Sequence, residues 1–320
     1  MEIISNPTQD EIKRAAKALK DGHLVAFPTE TVYGLGADAT NEKAVSRIYS
    51  VKGRPTDHPL IVHISSVKQL DKWALDIPEY ARKLAETYWP GPLTLILKRS
   101  EIAKNFVTGN QETVGLRVPS HPVALALLEQ FQSIGGSGVA APSANKFGHV
   151  SPTFANDVID EIGNNMDKSD LILDGGQCDI GLESTIIECT GEFPMILRPG
   201  VITIEMLNES FNIKTLFISS SNTTRVSGLL GKHYAPKVKI LIDQAPIIGQ
   251  GFLALSTYPS PSGVVRVASP KNLEEFAKNF YFSLRKADEL GLIYLVVQQP
   301  TGNGLAEAIR DRLVKAANGR

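Results

Sequence analysis

Residues 28–59 read PTETVYGLGADATNEKAVSRIYSVKGRPTDHP, and the expected fold follows from how that stretch divides. The apolar run Leu24 to Phe27 predicts a strand that Pro28 stops. Small and hydroxylated residues follow (Thr29, Thr31, Gly34 and Gly36), where backbone can approach a ligand closely. Asn41 is a good N-cap, and Ala44, Val45, Ile48 and Tyr49 recur at helical spacing, so residues 41–51 predict an amphipathic helix ended by Gly53 and Pro55. Lys52, Arg54 and His58 then fall within seven residues, an arrangement suited to an anion. Cations in a last helical turn also complement the helix dipole, and that alone would account for Lys52 and Arg54. Gly34 to Ala39 matches G-x-G-x-x-A, but five residues separate Pro28 from the first glycine and the cap waits until Asn41. The tight strand-to-helix turn of a dinucleotide site is therefore missing.

Outward from that stretch, Thr8 and Glu11 have capping-box spacing, Ile12, Ala15, Ala16 and Leu19 form an apolar stripe, and Gly22 closes the helix. Leu60 to Ile64 predicts a buried strand containing His63, a position that usually holds a satisfied core histidine and here lies close to the Lys52–His58 turn. His58 and His63 have no third residue spaced to complete a zinc site. A helix over 78–88 stops at Trp89-Pro90-Gly91-Pro92, and Leu93 to Leu97 makes the next strand. Arg117 falls in the strand 113–119, where a buried charge needs a partner. That partner is either a protein carboxylate or a substrate carboxylate held bidentately. Val139 to Asn145 is an apolar run ending in Ser143 and Asn145, by itself a turn with hydrogen-bonding side chains. Ser151 and Thr153 are expected to cap the following helix, with Ser151 also placed to reach a phosphate. Three strand signals follow (171–176, 183–190 and 195–200). Ser184 opens the second as a strand-start hydroxyl, and Arg198 ends the third as a surface arginine before Pro-Gly.

The 320 residues, 42% hydrophobic and 21% charged, fit a soluble globular chain of two domains more readily than one. A net charge of −1 with no block of like charges lacks the footprint of a dedicated nucleic-acid binder. Cys178 and Cys189 are too few and wrongly spaced for a disulfide framework, and the polar N-terminal stretch lacks the apolar core of a signal peptide, so a cytoplasmic protein is expected. Residues 219–224 are polar and aperiodic, as in a linker, but His233-Tyr234-Ala235-Pro236 is not what a plain tether needs. From Val238 the pattern is strand, strand, strand, helix, strand, helix, a small α/β unit. No G-x-x-x-x-G-K-[ST] P-loop occurs.

Thr29-Glu30-Thr31-Val32-Tyr33-Gly34-Leu35 followed by Lys52-Gly53-Arg54-Pro55 resembles the signature of the YrdC-like threonylcarbamoyl-AMP synthases. Ser143-Ala144-Asn145, Ser184-Thr185-Ile186 and Arg198-Pro199-Gly200 match in the same order, and His233-Tyr234-Ala235-Pro236 resembles the linker of the long, two-domain form. The linker's frequent Pro-Gly-Met-Lys-Tyr is replaced here by Ser227-Gly228-Leu229-Leu230-Gly231, so only Tyr234 is carried over. The resemblance implies an open twisted mixed sheet with helices over residues 1–210, a linker or lid over 211–237, and a smaller Rossmann-like α/β accessory domain over 238–320. It implies condensation of L-threonine, bicarbonate or CO2, and ATP into threonylcarbamoyl-AMP and pyrophosphate, for other proteins to transfer to tRNA. Lys52 and Arg54 would be catalytic. Thr31, His63, Arg117, Ala141 and Ser184 would surround threonine, while Arg54, His58, Thr113, Ser143, Asn145, Ser151, Arg198 and Tyr234 would surround ATP. No protein metal site is implied, since Mg2+ would ride on the phosphates; a monomer with at most weak tRNA contact is expected. Two other readings stand beside this one, an RNA-binding translation or ribosome-maturation factor and an enzyme making a carbamoyl adenylate from carbamoyl phosphate.

Overall fold

The structure, a computed structural model, describes residues 1–211, 216, 217, 225, 226, 228 and 233–319. The polar run 219–224 and most of the expected linker lie outside those residues. Among the described residues the strands form two sheets.

The larger sheet takes its strands from the first two-thirds of the chain: β1 (Glu2–Ser5), β2 (Val25–Phe27), β3 (Gly34–Asp38), β4 (Ile61–His63), β5 (Leu93–Lys98), β6 (Thr113–Arg117), β7 (Val139–Ala140), β8 (Leu171–Asp174), β9 (Thr185–Glu188), β10 (Met195–Arg198) and β11 (Leu216–Phe217). Their order is β1-β8-β2-β3-β7-β4-β6-β5-β9-β10-β11, a mixed sheet in which β4/β6 and β5/β9 pair parallel while β2/β3 and β5/β6 pair antiparallel. The helices between them are α1 (Gln9–Lys20), α2 (Glu42–Lys52), α3 (Leu70–Trp73), α4 (Glu79–Tyr88), α5 (Asn105–Thr108), α6 (Pro122–Ser133), α7 (Ala155–Ile162) and α8 (Ile204–Phe211).

Period-two alternation decides which helix covers which face. Leu24, Ala26, Val62, Leu116 and Ala140 point to one face, where α2, α4 and α7 bury them in a continuous core. Val25, Phe27, Val139, Leu171 and Leu173 point to the other, where α1 and α6 cover them through Ile12, Ala15, Leu19, Leu127 and Phe131. Those two helices cover the sheet from β1 as far as β7. Ile61 and His63 on β4, and Gly115 and Arg117 on β6, lie on that second face beyond the helices. The site forms on this half of the sheet.

Two local expectations change. Gly34 to Asp38, expected to offer backbone to a ligand, is a fully buried strand pairing antiparallel with β2. A Cβ on Gly36 would stand 2.8 Å from the Phe27 ring, so that glycine serves core packing, not ligand approach. Neither Ser151 nor Thr153 is the N-cap of α7. That position is Phe154, and the Asp157 carboxylate from inside the first turn accepts the Thr153 and Phe154 amides at 2.8 and 3.0 Å. At the other end of α2, Gly53 takes the left-handed conformation (φ 62°) and ends the helix as expected.

The second sheet, β12 (Lys239–Ile242), β13 (Gly251–Leu253), β14 (Val265–Ala268) and β15 (Tyr294–Val297), is parallel in the order β12-β15-β13-β14. Helices α9 (Leu273–Glu289) and α10 (Leu305–Ala317) pack on it through Phe276, Phe280, Leu284, Ile309 and Leu313. The same apolar cluster takes in Val32, Val150, Leu182 and Tyr234, so the two α/β units are docked through shared core. Gly181 sits at that seam with φ 74°, and a Cβ there would lie 2.6 Å from the Lys278 carbonyl oxygen of α9. Gly181→Ala is therefore expected to cost roughly 2 kcal/mol, from the left-handed backbone and the clash together. Chemical denaturation should show the lowered midpoint, and an unchanged midpoint would count against this close approach.

Candidate active site

The uncovered half-face becomes the floor of a cavity of about 560 Å³, counted to its open mouth. Its rim is the loop after β2. Thr29 Oγ1 donates to the Val32 carbonyl at 2.7 Å, accepts the Thr31 and Val32 amides at 3.2 Å each, and shares a 2.7 Å hydrogen bond with Thr31 Oγ1. This hydroxyl turn fixes Thr31 facing the cavity. A second loop is stitched to the first by backbone, with Leu35 N donating to Pro142 O and Ala144 N to Tyr33 O, both at 2.8 Å. Ala141 and Ser143 thereby come opposite Thr31 across the opening.

Of the residues expected to surround the amino acid, Thr31, His63, Arg117, Ala141 and Ser184 all line this one cavity. Burial, with the Arg117 charge nearby, pulls the His63 pKa down to about 3, so its imidazole is neutral at physiological pH. Its Nδ1 is buried without a hydrogen-bond partner among the described residues. Arg117 pairs with the protein carboxylate of Glu30 at 2.7 Å, and its Nε donates to Gly91 O at 3.3 Å. Its Nε and Nη2 thus face protein acceptors, while Nη1 makes no hydrogen bond to the described residues.

The residues expected around ATP divide. Arg54, Ser143, Arg198 and Tyr234 line the cavity. Arg54 lies over the Phe147 ring at 5.6 Å, and burial lowers its pKa to about 10, so it stays charged at neutral pH. Arg198 is 3% exposed rather than a surface residue, and its Nε and Nη2 donate to the Ser184 carbonyl at 3.0 and 2.9 Å. Ser184 Oγ in turn shares a 2.7 Å hydrogen bond with Thr94 Oγ1.

The other four, and with them Lys52, stand behind or beside the wall. Lys52 Nζ donates to the carbonyls of Ser143, at 2.6 Å, and Asn145. Burial, aided by the Arg54 charge, lowers its pKa well below the ordinary lysine value. Asn145 Nδ2 donates to Lys146 O and His149 O at 2.9 and 2.8 Å, while its Oδ1 is buried without a partner among the described residues. Ser151 Oγ donates to Glu183 at 2.6 Å. His58 stands edge-on to Phe147 at 5.2 Å. Thr113 faces an adjoining slot shared with Gly115, Ile96, Ile186 and Val226, and Ile61 is the wall common to both spaces.

Gly228, His233 and Tyr234, among the described residues of the expected linker, complete the cavity lining. Arg225 is held by Asp57 at 2.8 Å and by the Gly109 carbonyl at 2.7 Å, and Val226 packs on Ile96, Ile186 and Leu197. Tyr234 adopts φ 62°, is 1% exposed and carries a buried hydroxyl without a hydrogen-bond partner among the described residues. A Cβ on Gly228 would stand 2.3 Å from that hydroxyl. His233 beside it is neutral, burial lowering its pKa to about 3.

Sequence reasoning missed Glu30, Glu183, Tyr281 and Arg312. The Glu183 carboxylate lines the cavity and accepts from Tyr281 OH of α9 at 2.9 Å and from Arg312 Nε of α10 at 2.9 Å. Burial alone would raise its pKa, but the Arg312 and Arg198 charges and the Ser151 hydrogen bond outweigh that and hold it at about 2. The signal for Arg312 was present as a charge inside the apolar stripe of α10, beside Ile309 and Leu313.

A half-covered mixed sheet, a cavity carrying three buried arginines and short hydroxyls, and a second α/β unit docked beside it define a protein with a cavity suited to a small anionic ligand. Comparison with known proteins narrows that class. The family model described as "Telomere recombination" matches residues 17–200, and that of the "Threonylcarbamoyl-AMP synthase, C-terminal domain" matches residues 202–318. The chain therefore belongs to the Sua5/YciO/YrdC family. Threonylcarbamoyl-AMP synthase of Pyrococcus abyssi is 38% identical over 97% of this chain and 95% of its own length. That of Bacillus subtilis is 38% identical over 100% and 96%. The crystal structure of P. abyssi Sua5 complexed with L-threonine superposes with a TM-score of 0.89 at 35% identity, covering 100% of this chain and 98% of that one.

Proposed function

We propose that this chain synthesises L-threonylcarbamoyl-AMP and pyrophosphate from L-threonine, bicarbonate or CO2, and ATP. The observation that supports this most directly is the gathering of Thr31, His63, Arg117 and Ser184 in one enclosed cavity with Arg54 and Arg198. The threonine carboxylate meets Arg117, and neutral His63 offers the amine an uncharged neighbour. Arg54, Ser143 and Arg198 take the phosphates. Lys52 and Asn145 shape the Ser143 loop, and the Lys52 charge acts on the polyanion from behind it. The adjoining slot at Thr113 and Gly115 takes the nucleoside end, and Tyr234 closes over the ligands. The threonine amine adds to CO2 with loss of a proton, or to bicarbonate with loss of water, to give a carbamate; a carbamate oxygen attacks the α-phosphorus as the bond to pyrophosphate breaks. No enzyme nucleophile is needed, and the protein's contribution is placement and charge stabilisation. Mg2+ rides on the ATP phosphates with water completing its shell. Among the described residues no three His, Cys, Asp or Glu side chains are grouped to hold a metal.

The same reading divides the chain at about residues 210 and 237 into catalytic part, lid and accessory part, and gives the product to separate proteins for transfer to tRNA. Pyrophosphate release measured with ATP and bicarbonate tests the reaction. It should require L-threonine and should not occur when carbamoyl phosphate replaces threonine. Release with carbamoyl phosphate alone would move the protein to the carbamoyl-adenylate reaction, and no release in either case would leave the RNA-binding reading, tested by salt-dependent RNA affinity. With serine, kcat/KM should fall by on the order of tenfold to a hundredfold, the value of one methyl group in a fitted pocket.

A further inference from the structure

We infer that Glu30 is a positioning residue for the amino-acid half of the site. It holds Arg117 so that one guanidinium nitrogen is presented to the substrate carboxylate, and it governs threonine binding without touching threonine. This rests on the reading above that Arg117 receives that carboxylate.

The Glu30 side chain is outside the cavity wall, and it and Arg117 are 7% and 6% exposed. Every handle on Glu30 is fixed by a different segment of the chain. Its Oε2 accepts the Ser120 amide at 3.0 Å, its backbone carbonyl accepts the Ile180 amide at 2.8 Å, and Oε1 meets Arg117 Nη2 at 2.7 Å. Gly91 O takes Arg117 Nε. A planar guanidinium held at two of its nitrogens has its third direction determined. Nη1 makes no hydrogen bond to the described residues, and the residue faces the cavity. Glu30 also supplies the opposite charge that a buried arginine needs before its ligand arrives, so the empty site is not an uncompensated cation.

The test compares Glu30→Gln, Arg117→Met and the double variant in pyrophosphate release at varied threonine and varied ATP, with threonine binding followed by calorimetry. Glu30→Gln should raise the threonine KM by on the order of tenfold to a hundredfold, the usual cost of a misplaced binding group, while ATP KM stays within about twofold. In the Arg117→Met background the same change should add nothing, because the residue it positions is gone. The double variant removes both buried charges together and so keeps a folded protein in the comparison. A Glu30→Gln protein whose kcat falls while both KM values hold is losing folded enzyme only, and that result overturns the inference. If the wild type releases no pyrophosphate with threonine, the proposed reaction fails, and calorimetry decides Glu30 separately. Threonine binding weakened by Glu30→Gln would sustain its role; equal binding, or none by the wild type, would overturn it.

Discussion

Lys52→Met should lower threonine-dependent pyrophosphate release by on the order of 10²- to 10³-fold, the cost of removing one preorganised charge donor from an adenylation site. The expectation comes from what Lys52 lacks. The residue is 3% exposed, and its ammonium donates to the carbonyls of Ser143 and Asn145 and forms no ion pair with the described residues. An uncompensated buried cation is costly, and burial lowers its pKa for that reason. Methionine fills similar volume without the buried charge but leaves the Ser143 and Asn145 carbonyls without their donor, so the two effects offset and the same variant should stay within about 1 kcal/mol of the wild type. A large loss of activity with little change in stability separates a charge kept for the substrate from one kept for the fold; parallel losses would refute the assignment.

The lowered pKa also fixes the sign of a pH effect. In the unfolded chain Lys52 is protonated up to its ordinary pKa of 10.5, whereas the folded, ligand-free protein releases that proton at lower pH. Folding stability attributable to Lys52 therefore declines as pH falls from 10.5 to the lowered folded value. Phosphates beside the ammonium favour its charged form, so ATP binding above the folded pKa draws a proton in. Calorimetry in two buffers of different ionisation enthalpy should show net proton uptake with the wild type and less with Lys52→Met. Equal uptake in both proteins would place the proton on another group.

The sequence made the strand–helix–turn frame of residues 24–59 legible because its signals are local, an N-cap at Asn41, helical spacing through Tyr49 and a glycine at 53. Residues whose partners lie far along the chain were harder to place. Ser151 looks like a cap until Glu183 comes within 2.6 Å of it, and Asp157 takes the capping work instead. Arg117 offered two partners in the sequence, and the pairing with Glu30 depends on β6 folding beside a loop 87 residues earlier. Gly34 and Gly36 read as a place for close ligand approach because glycine is poor in isolated strands. There the strand is justified by close packing, with no room for a side chain on Gly36 between Phe27 and Val139. Family resemblance named five residues, Thr31, His63, Arg117, Ala141 and Ser184, that line one cavity, but not the network beneath them.

Arg312→Ala should destabilise the protein by about 3–5 kcal/mol, the range for breaking one partner out of a buried ion pair. Arg312 is fully buried in α10, yet its Nε reaches Glu183 on the cavity wall at 2.9 Å and its Nη2 reaches the Pro199 carbonyl, also at 2.9 Å. It is therefore the point where the second α/β unit grips the strands that carry Ser184 and Arg198. With Arg312 in place, Glu183 is held at about 2 against an ordinary 4.5, so it contributes stability that is full above pH 4.5 and is lost as pH falls through about 2. Without Arg312, only the Arg198 charge and the Ser151 hydrogen bond oppose burial and the carboxyl pKa rises, so the variant gains relative to the wild type as acid protonates Glu183. The stability gap between the two proteins should be widest near neutral pH and narrow below pH 4.5 in urea titrations. Glu183→Gln with Arg312→Met should recover most of the lost stability, because both charges leave together. Activity should not return with it, since the neutral pair no longer fixes the Ser151 hydroxyl and the Arg198 guanidinium around a shared anion. A gap independent of pH would mean that Arg312 stabilises the seam by packing alone.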